Sequence, residues 1–283
     1  MEAIIMLHFA NRFRVDGRKK IKLRDIATQW HGAAATRKAE RALSEAQDRA
    51  LSSLQQQLYA EHKQSLLIIL QGLDAAGKDG VIKHVMAGVS PQGCTVTSFK
   101  LPTKEELDHD FLWRIHHHTP RRGDIAVFNR SHYEDVLVAR VHHLVEKSVW
   151  SKRYEQINQF EAMLSTDSNT KIVKFYLHMS PEEQLRRFKR RLEDPLRQWK
   201  ISEADYGERK FWDDYIDAYA DLLRKTSSDH APWYIIPSDE KWFRNYSIGQ
   251  IIIETMQGMD IQVPVPTVDL AAIEREYHAA VTT

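Results

Sequence analysis

The residues best suited to chemistry form a glycine-rich loop, Gly72-Leu-Asp-Ala-Ala-Gly77-Lys78-Asp79-Gly80, directly after a short apolar run. The pattern G-x-x-x-x-G-K between a strand and a helix is typical of a phosphate-binding loop, and the alternative is a tight turn without a ligand. Backbone N–H groups, the positive end of the following helix and Lys78 would together attract phosphate. The predicted phosphate ligands are therefore Gly72, Ala75, Ala76, Gly77, Lys78, Asp79 and Gly80.

Two carboxylates make this loop unusual. Asp79 follows Lys78, where nucleoside triphosphatases carry the Ser or Thr that coordinates magnesium. Asp74 lies inside the loop, where a bare carboxylate would repel phosphate. A metal ion between carboxylate and phosphate resolves this conflict. A role as helix-dipole partner is an alternative for Asp79 and a weak one for Asp74.

A second polar cluster, Phe128-Asn-Arg-Ser-His-Tyr-Glu-Asp135, follows another predicted strand. In open α/β sheets the carboxyl ends of the strands line one crevice, so these residues should face the glycine-rich loop. Arg130 could bind a phosphate through two N–H groups. Glu134 would hold metal or accept a proton, unless it forms a capping box with Ser131. Asn129 stands where phosphate-loop enzymes commonly have an aspartate.

Basic residues concentrate in two segments. Residues 185–200 carry seven bases and two acids, and they follow a predicted capping box that starts at Ser180. Exposed helical ion pairs with Glu182 and Glu183 explain Arg186 and Arg187. The remaining bases predict a lid, at about 181–205, that closes over a transferring phosphoryl group. Residues 12–25 form a second basic segment, either a solvated arm or a strip beside a phosphate-rich ligand.

The elements that would position these residues alternate between strands and helices. Such alternation predicts an α/β fold with a parallel sheet. Apolar spacing of three and four predicts one long helix over 34–63, and Asp194-Pro195 should end the lid helix. We predict one domain, with a basic arm and long helix at 1–63, a core at 64–260 and a tail at 261–283. Each predicted strand reads as buried on both faces, and these runs are 65–71, 93–100, 124–130, 171–180 and 232–238.

Composition argues against a membrane-spanning protein and against a protein held together by disulfides. The 283 residues carry 40 basic and 39 acidic side chains, and no apolar run approaches the roughly 20 residues of a membrane span. The lone Cys94, expected to be buried at a strand start, cannot form an internal disulfide and indicates a reducing compartment, so we expect a cytoplasmic protein. The near-zero net charge conceals the two basic segments.

Several motifs resemble the polyphosphate kinase 2 family over about residues 12–260. They are GLDAAGKDG at 72–80, VSPQG at 89–93, FLWRIH at 111–116, FNRSHYEDVL at 128–137 and DPLRQWK at 194–200. Many members carry FDRSWY at 128–133, and the version found here is similar to the subclass that acts on both AMP and ADP. The resemblance implies a thymidylate-kinase-like P-loop fold with five parallel strands, flanking helices, a mobile helical lid and an N-terminal helical extension.

The resemblance also implies roles for individual residues. Asp74 would hold the acceptor phosphate through magnesium, with Asp79 as an alternative metal ligand. Glu134 would supply the carboxylate that Asn129 lacks, and it would share the metal. The remaining phosphate ligands would be Lys78, Lys83, Arg130, Arg187, Arg191 and Lys200.

We therefore expect a phosphotransferase that moves a terminal phosphoryl group from inorganic polyphosphate to AMP or ADP and can run in reverse. Mg²⁺ would be the cofactor, with Mn²⁺ as a substitute, and the chain would form a homo-oligomer, dimer or tetramer. We expect no membrane or nucleic-acid partner. The rivals are an ATP-dependent nucleotide kinase, which should carry Ser or Thr at Asp79, and a regulatory or nucleic-acid-binding P-loop protein.

Overall fold

A five-stranded parallel sheet forms the centre of the protein. The computed structural model describes residues 9–30 and 36–281, with the backbone alone at Arg37. The strand order is β2-β3-β1-β4-β5, and every neighbouring pair is parallel. The strands are β1 (Ser65–Gln71), β2 (Cys94–Ser98), β3 (Ile125–Asn129), β4 (Thr170–His178) and β5 (Trp233–Pro237). The predicted α/β class is confirmed.

Helices cover both faces of this sheet. In chain order they are α1 (Phe9–Phe13), α2 (Arg37–Glu61), α3 (Lys78–Val85), α4 (Lys104–Leu107), α5 (Trp113–His116), α6 (Glu134–Val141), α7 (Lys147–Thr166), α8 (Pro181–Glu193), α9 (Glu203–Arg209), α10 (Trp212–Thr226), α11 (Lys241–Gln257) and α12 (Leu270–Val281). Successive β1 side chains point to opposite faces. Leu67 and Ile69 pack with α6, α7 and α10, whereas Leu66 and Ile68 pack with α2, α3 and α11.

The strand β2 departs from the prediction of five strands buried on both faces. It pairs only with β3 at the edge of the sheet, and its side chains are partly or fully exposed. Val96, for example, is 48% exposed. Cys94 is likewise half-buried rather than buried. A short run that contains β-branched residues can form either an edge strand or a central strand. The sequence of this run therefore does not show that β2 lies at the edge of the sheet.

The long N-terminal helix is confirmed as α2, which begins after the N-cap Thr36 and ends at Glu61, before the C-cap His62 in the left-handed conformation. The predicted positions 34 and 35 lie outside the described residues. Because α2 packs along α11, it forms part of the same core as the sheet. The boundaries at 64 and 260 remain predictions.

The predicted lid consists of α8, a short 3₁₀ turn at Gln198–Lys200, and α9. The helix α8 ends at Glu193 because Asp194, which precedes a proline, is extended, as predicted. Across the described ranges, no helix combines the length and apolar character needed to cross a membrane.

Candidate active site

The glycine-rich loop leaves the carboxyl end of the central strand β1 and leads directly into α3. Gly77 lies at the helix N-cap with a φ of 107°, in the left-handed region that favours glycine. A Cβ at Gly77 would also collide with the guanidinium of Arg244. The loop therefore brings its backbone against a cation, at the positive end of a helix, which suits an anion.

Lys78, the first residue of α3, is buried in this loop. Its Nζ donates to the carbonyl oxygen of Gly72 at 2.6 Å and lies 3.4 Å from that of Leu73. Burial, followed by the nearby Arg130 guanidinium, lowers the pKa of Lys78 to about 8. An ammonium group carries three donors, so one remains available to a phosphate oxygen.

Arg130 brings the two predicted metal-binding carboxylates together. Its Nη2 donates to Oδ1 of Asp74 at 2.6 Å, and its Nη1 lies 3.4 Å from Oε2 of Glu134. Arg130 has a φ of 62°, a conformation uncommon outside glycine, so the chain turns sharply at the end of β3. The sharp turn points the guanidinium back at the glycine-rich loop, between carboxylates that come from 60 residues apart in sequence (74 and 134).

Asp79 connects the loop, the strand β3 and the lid. Asn129 donates from Nδ2 to Oδ1 of Asp79 at 2.9 Å, and Nζ of Lys200 lies 3.2 Å from Oδ2. Although partial burial would raise it, the pKa of Asp79 is lowered because of these two contacts. An aspartate at position 129 would repel Asp79, whereas the uncharged amide of Asn129 donates a hydrogen bond to it.

The interpretation of Glu134 as a capping residue is wrong. The helix α6 begins at Glu134 itself, and Tyr133 occupies the N-cap. The hydroxyl of Ser131 accepts hydrogen bonds from Gln71 and from the N–H of Tyr133. The carboxylate of Glu134 is thus free to face Arg130.

Arg187 requires one correction. Its ion pair with Glu183 is buried, not exposed, whereas its contact with phosphate stays a prediction. All five N–H donors of a guanidinium are used here. Their acceptors are the Glu183 carboxylate and the carbonyl oxygens of Ala75, Ala76, Ser238 and Asp239. Arg187 therefore fastens the glycine-rich loop to the end of β5.

Glu183 also differs from its predicted role. Ser180 caps α8 as expected by accepting from the N–H of Glu183. The carboxylate of Glu183, however, binds Arg186, Arg187 and Arg190 instead of completing a capping box. This acidic group stabilises the basic lid helix at its base.

Lys83, Arg191 and Lys200 line one cleft of about 1070 Å³ above the loop. Most of the loop residues line it too, but Gly72 and Ala76 do not. Lys83 is exposed on α3, and Arg191 donates to the carbonyl oxygen of Lys200 at 2.9 Å. Trp199 also lines the cleft, beside Lys200. The structure thus brings the loop, the Arg130 cluster and the lid to one site, as the sequence predicts.

Sequence reasoning missed Arg244, the most unusual cation of the cleft. It lies on α11, is only 2% exposed, and donates to the carbonyl oxygen of Ala76 and the side chain of Asn245. Burial, with Arg187 nearby, lowers the pKa of Arg244 to about 9. Among the described residues no carboxylate pairs with it. No local motif around position 244 signals this contact, because its partner is 168 residues away.

A buried ion pair supports the turn that carries Arg130. Lys174 on β4 donates to the carboxylate of Glu161, to the hydroxyl of Tyr133 at 2.8 Å and to the carbonyl oxygen of Thr226. Tyr133 in turn donates to Glu161 at 2.8 Å. Every ammonium donor of Lys174 is therefore satisfied inside the core.

We expect Lys174→Met to reduce the free energy of unfolding by about 3–5 kcal/mol, because it leaves the Glu161 carboxylate buried without its cation. The double variant Lys174→Met/Glu161→Gln should recover part of that loss. Urea unfolding of both variants measures the difference. A cost below about 1 kcal/mol for the single variant would show that the pair is not needed.

Fold and site together define a P-loop kinase, with a phosphate loop, paired carboxylates and a basic lid around one cleft. The chain belongs to the polyphosphate kinase 2 (PPK2) family, whose sequence model matches residues 34–264. The predicted resemblance is thereby confirmed.

Individual relatives agree with this assignment. An AMP/ADP-polyphosphate phosphotransferase of Meiothermus ruber is 48% identical over 219 residues, which are 77% of this chain and 82% of that protein. An ADP-polyphosphate phosphotransferase of Rhodopseudomonas palustris is 44% identical over 90% of this chain and 92% of its own. The crystal structure of polyphosphate kinase 2 from Arthrobacter aurescens TC1 superposes with a TM-score of 0.90 at 39% identity, covering 97% of both chains.

Proposed function

We propose that the protein transfers the terminal phosphoryl group of inorganic polyphosphate to AMP and to ADP. The observation that carries this proposal is the Arg130 cluster, in which one guanidinium contacts Asp74 and Glu134 at the mouth of a phosphate loop. Relatives named for AMP/ADP and ADP phosphotransfer support the choice of substrates.

In the proposed reaction, an oxygen of the acceptor's terminal phosphate attacks the last phosphorus of the polyphosphate chain. A new P–O bond forms, the bridging P–O bond breaks, and the shortened chain leaves with the electron pair. Such chemistry depends on positioning and on neutralising charge. Lys78 would bind the chain in the loop, Arg130 would orient the acceptor phosphate, and Arg191 and Lys200 would close over both.

The donor set fits Mg²⁺. This ion keeps several waters and takes one or two carboxylates together with substrate phosphates. Within the described ranges, no group of three or more His, Cys, Asp and Glu side chains could hold a metal by itself. Asp74 and Glu134, with Asp79 as an alternative, would therefore share Mg²⁺ or Mn²⁺ with phosphate, and the ion would neutralise charge on the reacting oxygens.

The Asp79 contacts support a lid that responds to substrate. Lys200 pairs with Asp79 across the cleft, so phosphate or metal at Asp79 competes with this ion pair. Opening and closing of the lid would then follow the occupancy of the loop.

Product analysis tests the proposed function. Purified protein is incubated with AMP, Mg²⁺ and polyphosphate, and we expect ADP followed by ATP. ADP alone would confine the enzyme to AMP as acceptor. Transfer from ATP but not from polyphosphate would instead support an ATP-dependent nucleotide kinase. Incubation of ATP with Mg²⁺ and short polyphosphate tests the reverse reaction, and chelation should stop both directions.

We also propose a homo-oligomer in the cytoplasm. The tail helix α12 carries an exposed apolar stripe, comprising Leu270, Ile273, Tyr277 and Val281, that supports assembly of copies of this chain. The single cysteine supports a reducing compartment.

A further inference from the structure

The basic arm predicted at 12–25 is fixed against the body of the protein. The N–H of Val15 donates to the carbonyl oxygen of Trp233 at 2.8 Å, and Leu23 is buried in the core. Just beyond the far end of the arm, the imidazole of His178 contacts the carbonyl oxygen of Ile26. The N–H of Asp239 donates to the carbonyl oxygen of Thr28. The arm is therefore an ordered part of the fold rather than a solvated tail.

The arm runs along α10 from one end of the sheet to the other. It starts beside the last turn of α10, where Gly17 approaches the backbone of Arg224. It then passes the first turns of α10, where Arg24 pairs with Asp213 and Asp217. It finally reaches the carboxyl ends of β4 and β5, the edge at which Arg187 fastens the glycine-rich loop. One end of the arm thus lies at the same edge as the active site.

This arm, α6 and α10 together line a cleft of about 760 Å³. We call it the arm cleft. Three carboxylates line it, and its six cations are Arg18, Lys20, Lys22, Arg24, Arg140 and Arg224. Asp217 forms an ion pair with Arg24, and Oδ2 of Asp221 lies 2.8 Å from Nη1 of Arg140. Among the described residues, Lys20, Lys22 and Arg224 have no ion-pair partner.

Packing holds these cations at the surface. Along the arm, Ile21 and Leu23 pack on the core, whereas Lys20, Lys22 and Arg24 are exposed between and beside them. Because the backbone is anchored at both ends, the charges are concentrated without a loss of chain entropy when a ligand binds. A row of fixed cations with few available carboxylates suits a ligand with repeated negative charge.

We propose that the arm cleft is a second binding site for inorganic polyphosphate, which holds a distal stretch of the chain whose reacting end lies in the catalytic cleft. The inference rests on the proposed function for the identity of the polyanion. The arm leads from this cleft to the edge of the sheet that carries the active site, so one long chain can engage both. A short chain fills only the catalytic cleft.

The variant Lys20→Gln/Lys22→Gln/Arg224→Gln tests the arm cleft. Calorimetric titration compares binding of tripolyphosphate and of long-chain polyphosphate to the full-length protein. We expect the affinity for the long chain to fall about threefold to tenfold and to depend less steeply on salt, because fewer counterions are released. Binding of tripolyphosphate, kcat and the melting temperature should not change.

A matched control removes three cations elsewhere. Lys147→Gln/Lys152→Gln/Lys171→Gln changes net charge by the same amount at exposed positions outside the cleft. An equal loss of long-chain affinity in this control, an equal loss for tripolyphosphate, or no loss at all would overturn the proposal. Single-stranded RNA that binds the arm cleft as tightly as polyphosphate would also overturn it. Cleft-dependent long-chain binding without phosphoryl transfer would refute the proposed function alone.

Discussion

Asp74→Asn should reduce kcat for transfer from polyphosphate by at least about a thousandfold while the protein remains folded. The change preserves the size of the side chain and keeps the oxygen that accepts from Arg130. It removes the negative charge that is needed to hold a metal ion next to phosphate. Activity should therefore fall much more than stability.

Steady-state rates with AMP and polyphosphate, together with a melting curve, measure this prediction. Asp167→Asn, at an exposed position after α7, is the matched control and should retain full activity. Residual activity above about a tenth of the wild-type rate would refute Asp74 as a metal ligand. A large fall in melting temperature would instead show that the Asp74–Arg130 contact mainly holds the loop together.

Lys78→Met should cost about 3–4 kcal/mol of transition-state stabilisation, measured from kcat/KM. Methionine keeps most of the buried volume but removes the ammonium group. Since Lys78 binds carbonyl oxygens of its own loop, a modest loss of stability is expected as well. The loss of activity should persist at temperatures well below the melting transition.

The pH dependence provides a second measurement for Lys78. Its pKa is lowered to about 8, so in the free enzyme the ammonium loses its proton as the pH rises through that value. Wild-type kcat/KM should then fall on the alkaline side, since this parameter reports ionisation of the free enzyme. Lys78→Arg keeps its charge at that pH and should lack this fall. A similar alkaline fall in Lys78→Arg would assign the ionisation to another group.

The parts of the site that the sequence predicts correctly are those encoded locally. The glycine-rich loop occupies nine residues, 72–80, between a buried strand and a helix, and its spacing alone predicts this strand–loop–helix arrangement. Asp74, Arg130 and Glu134 could be placed together because parallel strands end at one edge of a sheet. Both inferences need only short-range pattern and topology.

The errors concern contacts between distant segments. Arg187 has the sequence of a lid arginine, yet four of its acceptors are carbonyl oxygens, two of them in the loop more than a hundred residues before it. Arg244 is invisible to motif reasoning for the same reason. Ser131 and Glu134 have the spacing of a capping box, but the helix starts two residues later than that box requires. Local spacing cannot specify which backbone oxygens a long side chain will reach.

The buried guanidinium of Arg244 has a consequence for the lifetime of the protein. With Arg187 beside it and no described carboxylate paired with it, Arg244 places a positive charge against the backbone of the glycine-rich loop without a counterion of its own. A bound phosphate chain would supply that counterion, and a ligand that binds only the folded state raises its stability. Phosphate polymer would therefore protect the protein from unfolding and proteolysis, and its abundance would follow the supply of its own substrate.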